Sequence, residues 1–188
     1  MRLLVLLVAL SAGAVYAGDD RDERLETLDD LSSRLNRYST DDLKTRERDF
    51  LHERVTDLLR SARGAIDDEY RFGRLAAAID DFLDASEQIE DAYEEEPKRS
   101  DTRMRAAREL EDTYFDLKQG EYFAAQTGER AANDYVKTGR RLYQAARAAY
   151  EEQAYARARD LGEAAREVVA GLESLAQAAV RIPTPPKL

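Results

Sequence analysis

The side chains able to do nucleophilic, acid–base or metal chemistry are few in type, because the 188-residue chain has one histidine and no cysteine. A structural zinc site needs about four Cys or His ligands and a c-type haem needs a Cys-x-x-Cys-His motif, so composition excludes both. A Ser-His-Asp device could use only His52, and no Gly-x-Ser-x-Gly elbow is present. His52 follows the apolar position Leu51 on a predicted helix, and we interpret it as solvated or flanking the core.

Carboxylates offer the other route to catalysis. Asp80 and Asp84 are one helical turn apart, and paired acids can cleave glycosidic bonds when burial separates their pKa values. With Asp81 and Glu87 they lie opposite an apolar stripe, so we interpret this face as solvated. Glu129 is the exception, a carboxylate at a stripe position and the first residue to check for an enzyme; we interpret it as paired with Arg130 or another nearby Arg, or as lying at the edge of the stripe. The sequence therefore predicts no catalytic, cofactor-binding or metal-binding residue, and no enzymatic activity.

Tyrosines are concentrated in the second half of the chain. A tyrosine can bury its ring and leave its hydroxyl in water, and for this reason it recurs at interfaces. The functional interpretation is a groove for another protein or peptide; the structural one is a core in which Tyr and Ala alternate as large and small pieces. The candidate partner-binding residues are Tyr114, Tyr122, Tyr135, Tyr143, Tyr150 and Tyr155.

The elements that must position these residues are helices. Ala, Leu, Glu, Arg and Asp dominate, and Gly and Pro are scarce, with 9 and 4 residues. The formal net charge of −10 disfavours nucleic acid, because phosphate binding depends on Lys and Arg. It also disfavours an anionic lipid surface.

The N-terminal segment has the features of a cleaved secretory signal. Arg2 is followed by the apolar run 3–10, which is too short to span a bilayer, and small residues lead to a cleavage site after Ala17. We therefore expect residues 1–17 to be removed, the protein to be secreted or periplasmic, and no stable membrane insertion afterwards. A single helical domain is predicted over 18–181, in two parts, 18–96 and 100–181, separated around Pro97. Residues 182–188 form a Pro-rich tail.

Helical periodicity is clear in the first half of the chain. Steps of three and four residues define apolar stripes on three helices: Leu25, Leu28, Leu31, Leu35 and Tyr38; then Leu51, Val55, Leu58, Ala62 and Ala65; then Phe72, Leu75, Ile79, Phe82, Ser86, Ile89 and Tyr93. The second helix is predicted from about Asp42 to Ile66, with a turn over 67–73 after it. The buried Ser86 is expected to bond the carbonyl four residues earlier.

The second half is predicted to contain three further helices. The core stripe of the fourth helix is Met104, Ala107, Leu110, Tyr114 and Leu117. Gln119-Gly120 is a hinge candidate, after which the pattern continues from Glu121 for about thirty residues, unless Thr138-Gly139 divides it. The last helix is predicted from Tyr155 to Val180.

An internal echo supports this division. GEYFAAQTGERAA at 120–132 is followed by QAYARARDLGEAA at 153–165, with an offset of 33 residues that places Tyr122 on Tyr155 and Ala125 on Ala158. These segments, with Gly120 or Gln153 at the turn position followed by an aromatic residue and then Ala, resemble the second helix of tetratricopeptide-like hairpins, which prefer a small residue at that turn. The resemblance covers about sixty residues, and the helix before Gly120 does not match. It implies a scaffold that binds peptides or proteins on a concave face.

The sequence thus predicts an all-α protein of about six helices in antiparallel hairpins, as an elongated bundle or a short repeat-like array. The predicted function is a secreted or periplasmic scaffold that binds another protein, with a homo-oligomer also possible. The alternative is a carrier that holds a small apolar ligand between its helices.

Overall fold

The computed structural model describes residues 21–39, 45–93, 102–128 and 130–180, and within these ranges the protein is all-α, as predicted. The described residues form six helices and no strand. These helices are α1 (Arg21–Ser39), α2 (Arg46–Gly64), α3 (Glu69–Tyr93), α4 (Arg103–Gln126), α5 (Ala132–Glu151) and α6 (Tyr155–Ala179). The predicted signal segment 1–17, the Pro97 break, Glu129 and the tail 182–188 lie outside the described residues.

Two groups of three helices meet along one central contact. Helices α1, α2 and α3 pack against one another, as do α4, α5 and α6, and the two groups join where α3 packs against α6. Helices α3 and α6 run antiparallel. Asp81, in the middle of α3, accepts a hydrogen bond from Ser174 near the C-terminal end of α6, whereas Tyr93 at the C-terminal end of α3 lies beside Arg157 at the start of α6. Helix α6 is the central element, because it contacts α3, α4 and α5.

One hydrophobic core connects the two groups. It is built from leucine stripes of α1 and α2, both sides of α3, and the inward faces of α5 and α6. Tyr135 of α5 is 1% exposed; its ring stacks on Phe82 at 4.7 Å with 4° between the planes, and meets Phe50 edge-on at 5.2 Å. Aromatic contacts therefore join α2, α3 and α5 in the centre of the molecule.

The first half follows the predicted periodicity. Leu28, Leu31 and Leu35 of α1 are buried, and the hydroxyl of Ser86 donates to the carbonyl of Phe82 at 3.0 Å, as expected. Two boundaries differ. Helix α3 begins at Glu69, so most of the predicted 67–73 turn is helical. Helix α2 begins at Arg46, because the Thr45 side chain caps it by accepting from the backbone N–H of Arg48.

The predicted hinge at Gln119-Gly120 is wrong. Helix α4 continues through it to Gln126, and Gly120 is buried where a Cβ would lie 3.2 Å from Cγ2 of Val169 on α6. Its small size serves close helix packing, and the chain instead turns at Gly128, whose φ of +66° suits glycine. Helix α5 then runs unbroken through Thr138-Gly139.

The boundary between α5 and α6 falls at the position that the echo predicts, although the residue that adopts the left-handed conformation there is not a glycine. Helix α5 ends at Glu151, and Gln153 adopts a left-handed φ of 63°. Tyr122 lies near the C-terminal end of α4, whereas its echo partner Tyr155 is the first residue of α6. The two echoed segments therefore occupy different structural positions.

Among the described helices, none combines the length and the apolar character needed to cross a lipid bilayer.

Candidate functional site

The outward face of α4 is the most exposed apolar surface among the described residues. The predicted core stripe of this helix is wrong, because Met104 is 78% exposed and Ala107 and Tyr114 are also exposed, while only Leu117 of that stripe is fully buried. Phe115 and Tyr122 are 58% and 64% exposed. The real inward face is rotated away from the large side chains.

Small residues on α4 explain this rotation. Its buried face carries Ala106, Thr113 and Gly120, spaced seven residues apart, beside Leu117. The hydroxyl of Thr113 donates to the carbonyl of Glu109 at 2.7 Å and lies 3.3 Å from the carbonyl of Gly162 on α6. Small side chains let two helices approach closely, so α4 packs with its small face inward and leaves its bulky residues in solvent.

Ion pairs fix the same orientation. Arg166 of α6 bonds Asp116 through Nε at 2.7 Å and Glu109 through Nη1 at 3.3 Å, both on α4. Burial raises the pKa of Glu109, and the neighbouring Arg166 guanidinium partly offsets this rise. These two contacts lie on the α6 side of α4, so they hold its opposite face outward.

Met104, Phe115 and Tyr122 lie on one line along α4. They are separated by 11 and 7 residues, which correspond to about three and two helical turns, so their side chains point in nearly the same direction. A row of exposed large apolar residues along one helix face is a candidate interaction site, and here charged residues lie between its members. We define the α4 surface as Met104, Arg108, Glu111, Phe115, Lys118 and Tyr122.

The six predicted partner-binding tyrosines do not share one surface. Tyr135 belongs to the core, so its prediction as a groove residue is wrong. Tyr122 lies on the α4 surface, beside Phe123 at a centroid distance of 5.9 Å. Tyr114 is 47% exposed, and its ring is 6.4 Å from that of the half-buried Tyr143 on α5.

Tyr150 and Tyr155 lie at the opposite end of α4 from Tyr122. Their rings meet edge-on at 5.5 Å across the turn between α5 and α6, and Nε of Arg103 donates to the Tyr150 hydroxyl at 3.2 Å. Both rings are half-buried and pack on Ala106 and its neighbours. This pair stabilises the turn and the start of α4.

A second unusual feature is a set of carboxyl groups in the seam between α3 and α6. Asp81 of α3 accepts a hydrogen bond from the Ser174 hydroxyl at 3.3 Å. Burial, reinforced by the charge of Glu167, raises the pKa of Asp81 to about 7. Burial, reinforced by Asp84, likewise raises the pKa of Glu167 to about 7. These two groups can exchange protons with water near neutral pH.

Arg34 of α1 binds a neighbouring group of acids on α3. It pairs with Asp80, with Asp84 at 2.6 Å and with Glu87 at 3.8 Å. Burial and the charge of Asp84 raise the pKa of Asp80, and Arg34 acts in the opposite direction. The interpretation of this face as simply solvated is therefore wrong: Asp80, Asp84 and Glu87 pair with Arg34, and Asp81 lies in the seam with α6.

Sequence reasoning missed Asp81 and Glu167, although a signal was present. Alanines recur every seven residues on α3, at Ala78, Ala85 and Ala92, and all three are buried. A small-residue stripe beside a large-residue stripe indicates two packed faces, and Asp81, which flanks the alanine stripe, is therefore partly enclosed.

Metal and histidine chemistry receive no support from the geometry. His52 is half-buried on α2, and its backbone carbonyl accepts from the Thr56 hydroxyl at 2.9 Å. Across the described ranges, no group of three or more His, Asp or Glu side chains is placed to hold a metal ion.

Comparison of the chain with protein-family models, with curated proteins and with solved structures finds no match in any of the three.

Proposed function

We propose that this protein is a non-catalytic helical interaction protein that binds another polypeptide through the α4 surface. The observation that carries the proposal is the line of Met104, Phe115 and Tyr122, which are 78%, 58% and 64% exposed on a helix whose packing is complete on its other side. Burying each of these side chains in an interface is worth about 1.5–3 kcal/mol before the costs of association.

The chemistry of the surface favours a polypeptide partner. Three bulky apolar groups along about five turns of helix match the spacing of apolar residues on another helix. The charged side chains between these groups can set the orientation of the bound polypeptide; they are Arg108, Glu111 and Lys118. A polypeptide partner is also what the resemblance to tetratricopeptide-like hairpins implies.

The proposed place of action is outside the cytoplasm, because residues 1–17 have the composition of a cleaved secretory signal. Intact-mass measurement of the protein purified from its host tests this proposal. A measured mass that matches a chain beginning at Gly18 supports secretion. A mass that includes residues 1–17 contradicts the proposed cleavage.

Site-specific photocrosslinking tests the interaction. A benzoyl-phenylalanine replaces Phe115 in one variant and Arg60, an exposed residue of α2, in a matched control, and both proteins are irradiated in the living host. We expect polypeptide adducts from position 115 and none of the same mass from position 60. Equal adducts from both positions, or none from position 115, would overturn the proposal. An added mass of a few hundred daltons on the native protein, without polypeptide adducts, would support the carrier alternative.

A further inference from the structure

The residues of the α4 surface follow a heptad pattern on the solvent side of the helix. Met104, Arg108, Glu111, Phe115, Lys118 and Tyr122 are separated by steps of four, three, four, three and four residues. This alternation is the spacing of a seam between two long helices packed side by side. On α4 it lies opposite the buried Ala106, Thr113 and Gly120, so no helix among the described residues covers it.

From Arg108 to Tyr122, the order of residues along this seam is complementary to itself when reversed. In an antiparallel pair centred on Phe115, a residue a given number of positions before 115 meets the residue the same number after it. Arg108 then faces the partner's Tyr122, seven positions on either side. Glu111 and the partner's Lys118 lie four and three positions from the centre, on the same flank of the helix. Phe115 meets its own copy.

The contacts of Arg108 with Tyr122 and of Glu111 with Lys118 are chemically favourable, and each occurs twice, as two-fold symmetry requires. The contact of Phe115 with its own copy lies on the axis and occurs once. A guanidinium over a tyrosine ring is a cation–π contact, and a Glu opposite a Lys is an ion pair at the edge of an apolar contact. A parallel pair would instead place each charge beside its own copy. The charge order therefore selects the antiparallel arrangement.

We propose that the partner of the α4 surface is a second copy of this chain, bound antiparallel through α4 with Phe115 at the two-fold axis. This inference rests on the proposed function, because it names the occupant of the same surface. A single pair of helices buries less than the roughly 800 Å² per partner of a standard interface. The dimer is accordingly weak, with a dissociation constant above about 1 μM.

Charge reversal at two exposed positions tests the register. Glu111→Lys places lysine opposite the partner's Lys118, and Lys118→Glu places glutamate opposite the partner's Glu111. Sedimentation velocity over a concentration series should show self-association of the mature protein weakened at least tenfold in each single variant, since like charges oppose each other. Self-association should recover in an equimolar mixture of the two single variants. It should also recover in the double variant alone.

Glu26→Lys is the matched control for Glu111→Lys, because it makes the same change in net charge at an exposed position of α1. We expect it to associate like the wild type, and circular dichroism should show equal helix content in every variant. Absence of wild-type dimers up to about 1 mM, or failure of the mixture to recover association, would overturn the inference. If photocrosslinks from position 115 then still join a different polypeptide, the proposed function stands and only the self-pairing is lost.

Discussion

The hydroxyl of Ser174 on α6 donates a 3.3 Å hydrogen bond to Oδ2 of Asp81 on α3, inside the contact that joins the two halves of the molecule. A carboxyl group in such a seam costs free energy when it is charged, because burial removes it from water. The nearby Glu167 adds a second acid to the same seam. The contact between α3 and α6 is thus sensitive to protonation.

The free energy of unfolding is predicted to fall as the pH rises from about 4 to about 7. The pKa values of Asp81 and Glu167 are about 7 in the folded protein, against ordinary values of 3.8 and 4.5 for Asp and Glu side chains. The folded state therefore binds more protons than the unfolded state between about pH 4 and 7, and its free energy of unfolding decreases across this window. Urea unfolding measured from pH 4 to pH 9 should show the decrease and a plateau above about pH 8.

Asp81→Asn should remove part of this pH dependence. The neutral amide keeps an acceptor for Ser174, so at pH 8 the variant should be about 1–2 kcal/mol more stable than the wild type, with little difference at pH 4. Glu26→Gln, on the exposed side of α1, is the matched control and should leave the pH profile unchanged. An Asp81→Asn protein that is destabilised equally at both pH values would show that Asp81 serves as an anionic structural partner instead.

The periodicity of large apolar residues predicted the first three helices well, because steps of three and four leave one choice of inward face. It failed on α4, where the inward residues are small: Ala106, Thr113 and Gly120 carry no strong hydropathy signal. The exposed Met104 and Phe115 carry a strong one, so the pattern placed the wrong face inward. A helix that packs through small residues and exposes large ones reverses the usual interpretation of an apolar stripe.

The helix boundaries show a second limit of sequence reasoning. Gly120 and Gly128 are equally good candidates for a turn, and the difference between them is set by what they contact: Gly120 lies against Val169, while a Cβ at Gly128 would meet nothing within 4 Å. Such long-range contacts are not visible in a local pattern. The site residues Asp81 and Glu167 were missed for the same reason, since their burial depends on how α3 and α6 face each other.

Gly171→Ala is predicted to destabilise the contact between α3 and α6. A Cβ at Gly171 would overlap the ring of Phe82, whose Cζ would lie only 2.7 Å away. Phe82 is 0% exposed and stacked on Tyr135, so its ring has little freedom to move. We expect a loss of about 1–3 kcal/mol in the free energy of unfolding, measured by urea denaturation.

Gly64→Ala provides the control for this substitution. A Cβ at Gly64 would meet nothing within 4 Å near the end of α2, so alanine should be neutral or stabilise the protein by up to about 1 kcal/mol through its helix propensity. The double variant Gly171→Ala/Phe82→Leu should lose less than the two single losses combined, because the smaller side chain relieves the overlap. If the losses of the two single variants simply add in the double variant, the destabilisation by Gly171→Ala does not come from overlap with Phe82.

Gln153→Gly is predicted to stabilise the protein. Gln153 has a φ of 63°, and the turn around it is a Schellman motif in which the N–H of Ala154 bonds the carbonyl of Ala149 at 2.9 Å. Glycine adopts this conformation without a steric cost, so thermal unfolding should show a gain of about 1 kcal/mol. Gln144→Gly, at an exposed position inside α5, should instead cost about 1 kcal/mol. If Gln153→Gly instead lowers stability, the Gln153 side chain makes a contact that stabilises the fold by more than the left-handed backbone conformation costs.

Two tyrosines predicted as partner residues should separate into opposite roles. Tyr135 is 1% exposed between Phe50 and Phe82, so Tyr135→Ala should cost about 3–5 kcal/mol in the free energy of unfolding. Tyr122 is 64% exposed on the α4 surface, and Tyr122→Ala should change that free energy by less than about 0.5 kcal/mol. The same Tyr122→Ala protein should show weakened photocrosslinking from position 115, because the substitution removes an apolar contact of the partner without affecting the fold. Strong destabilisation by Tyr122→Ala would mean that its ring packs inside the molecule in solution, and the α4 surface would then be too small to bind a helix.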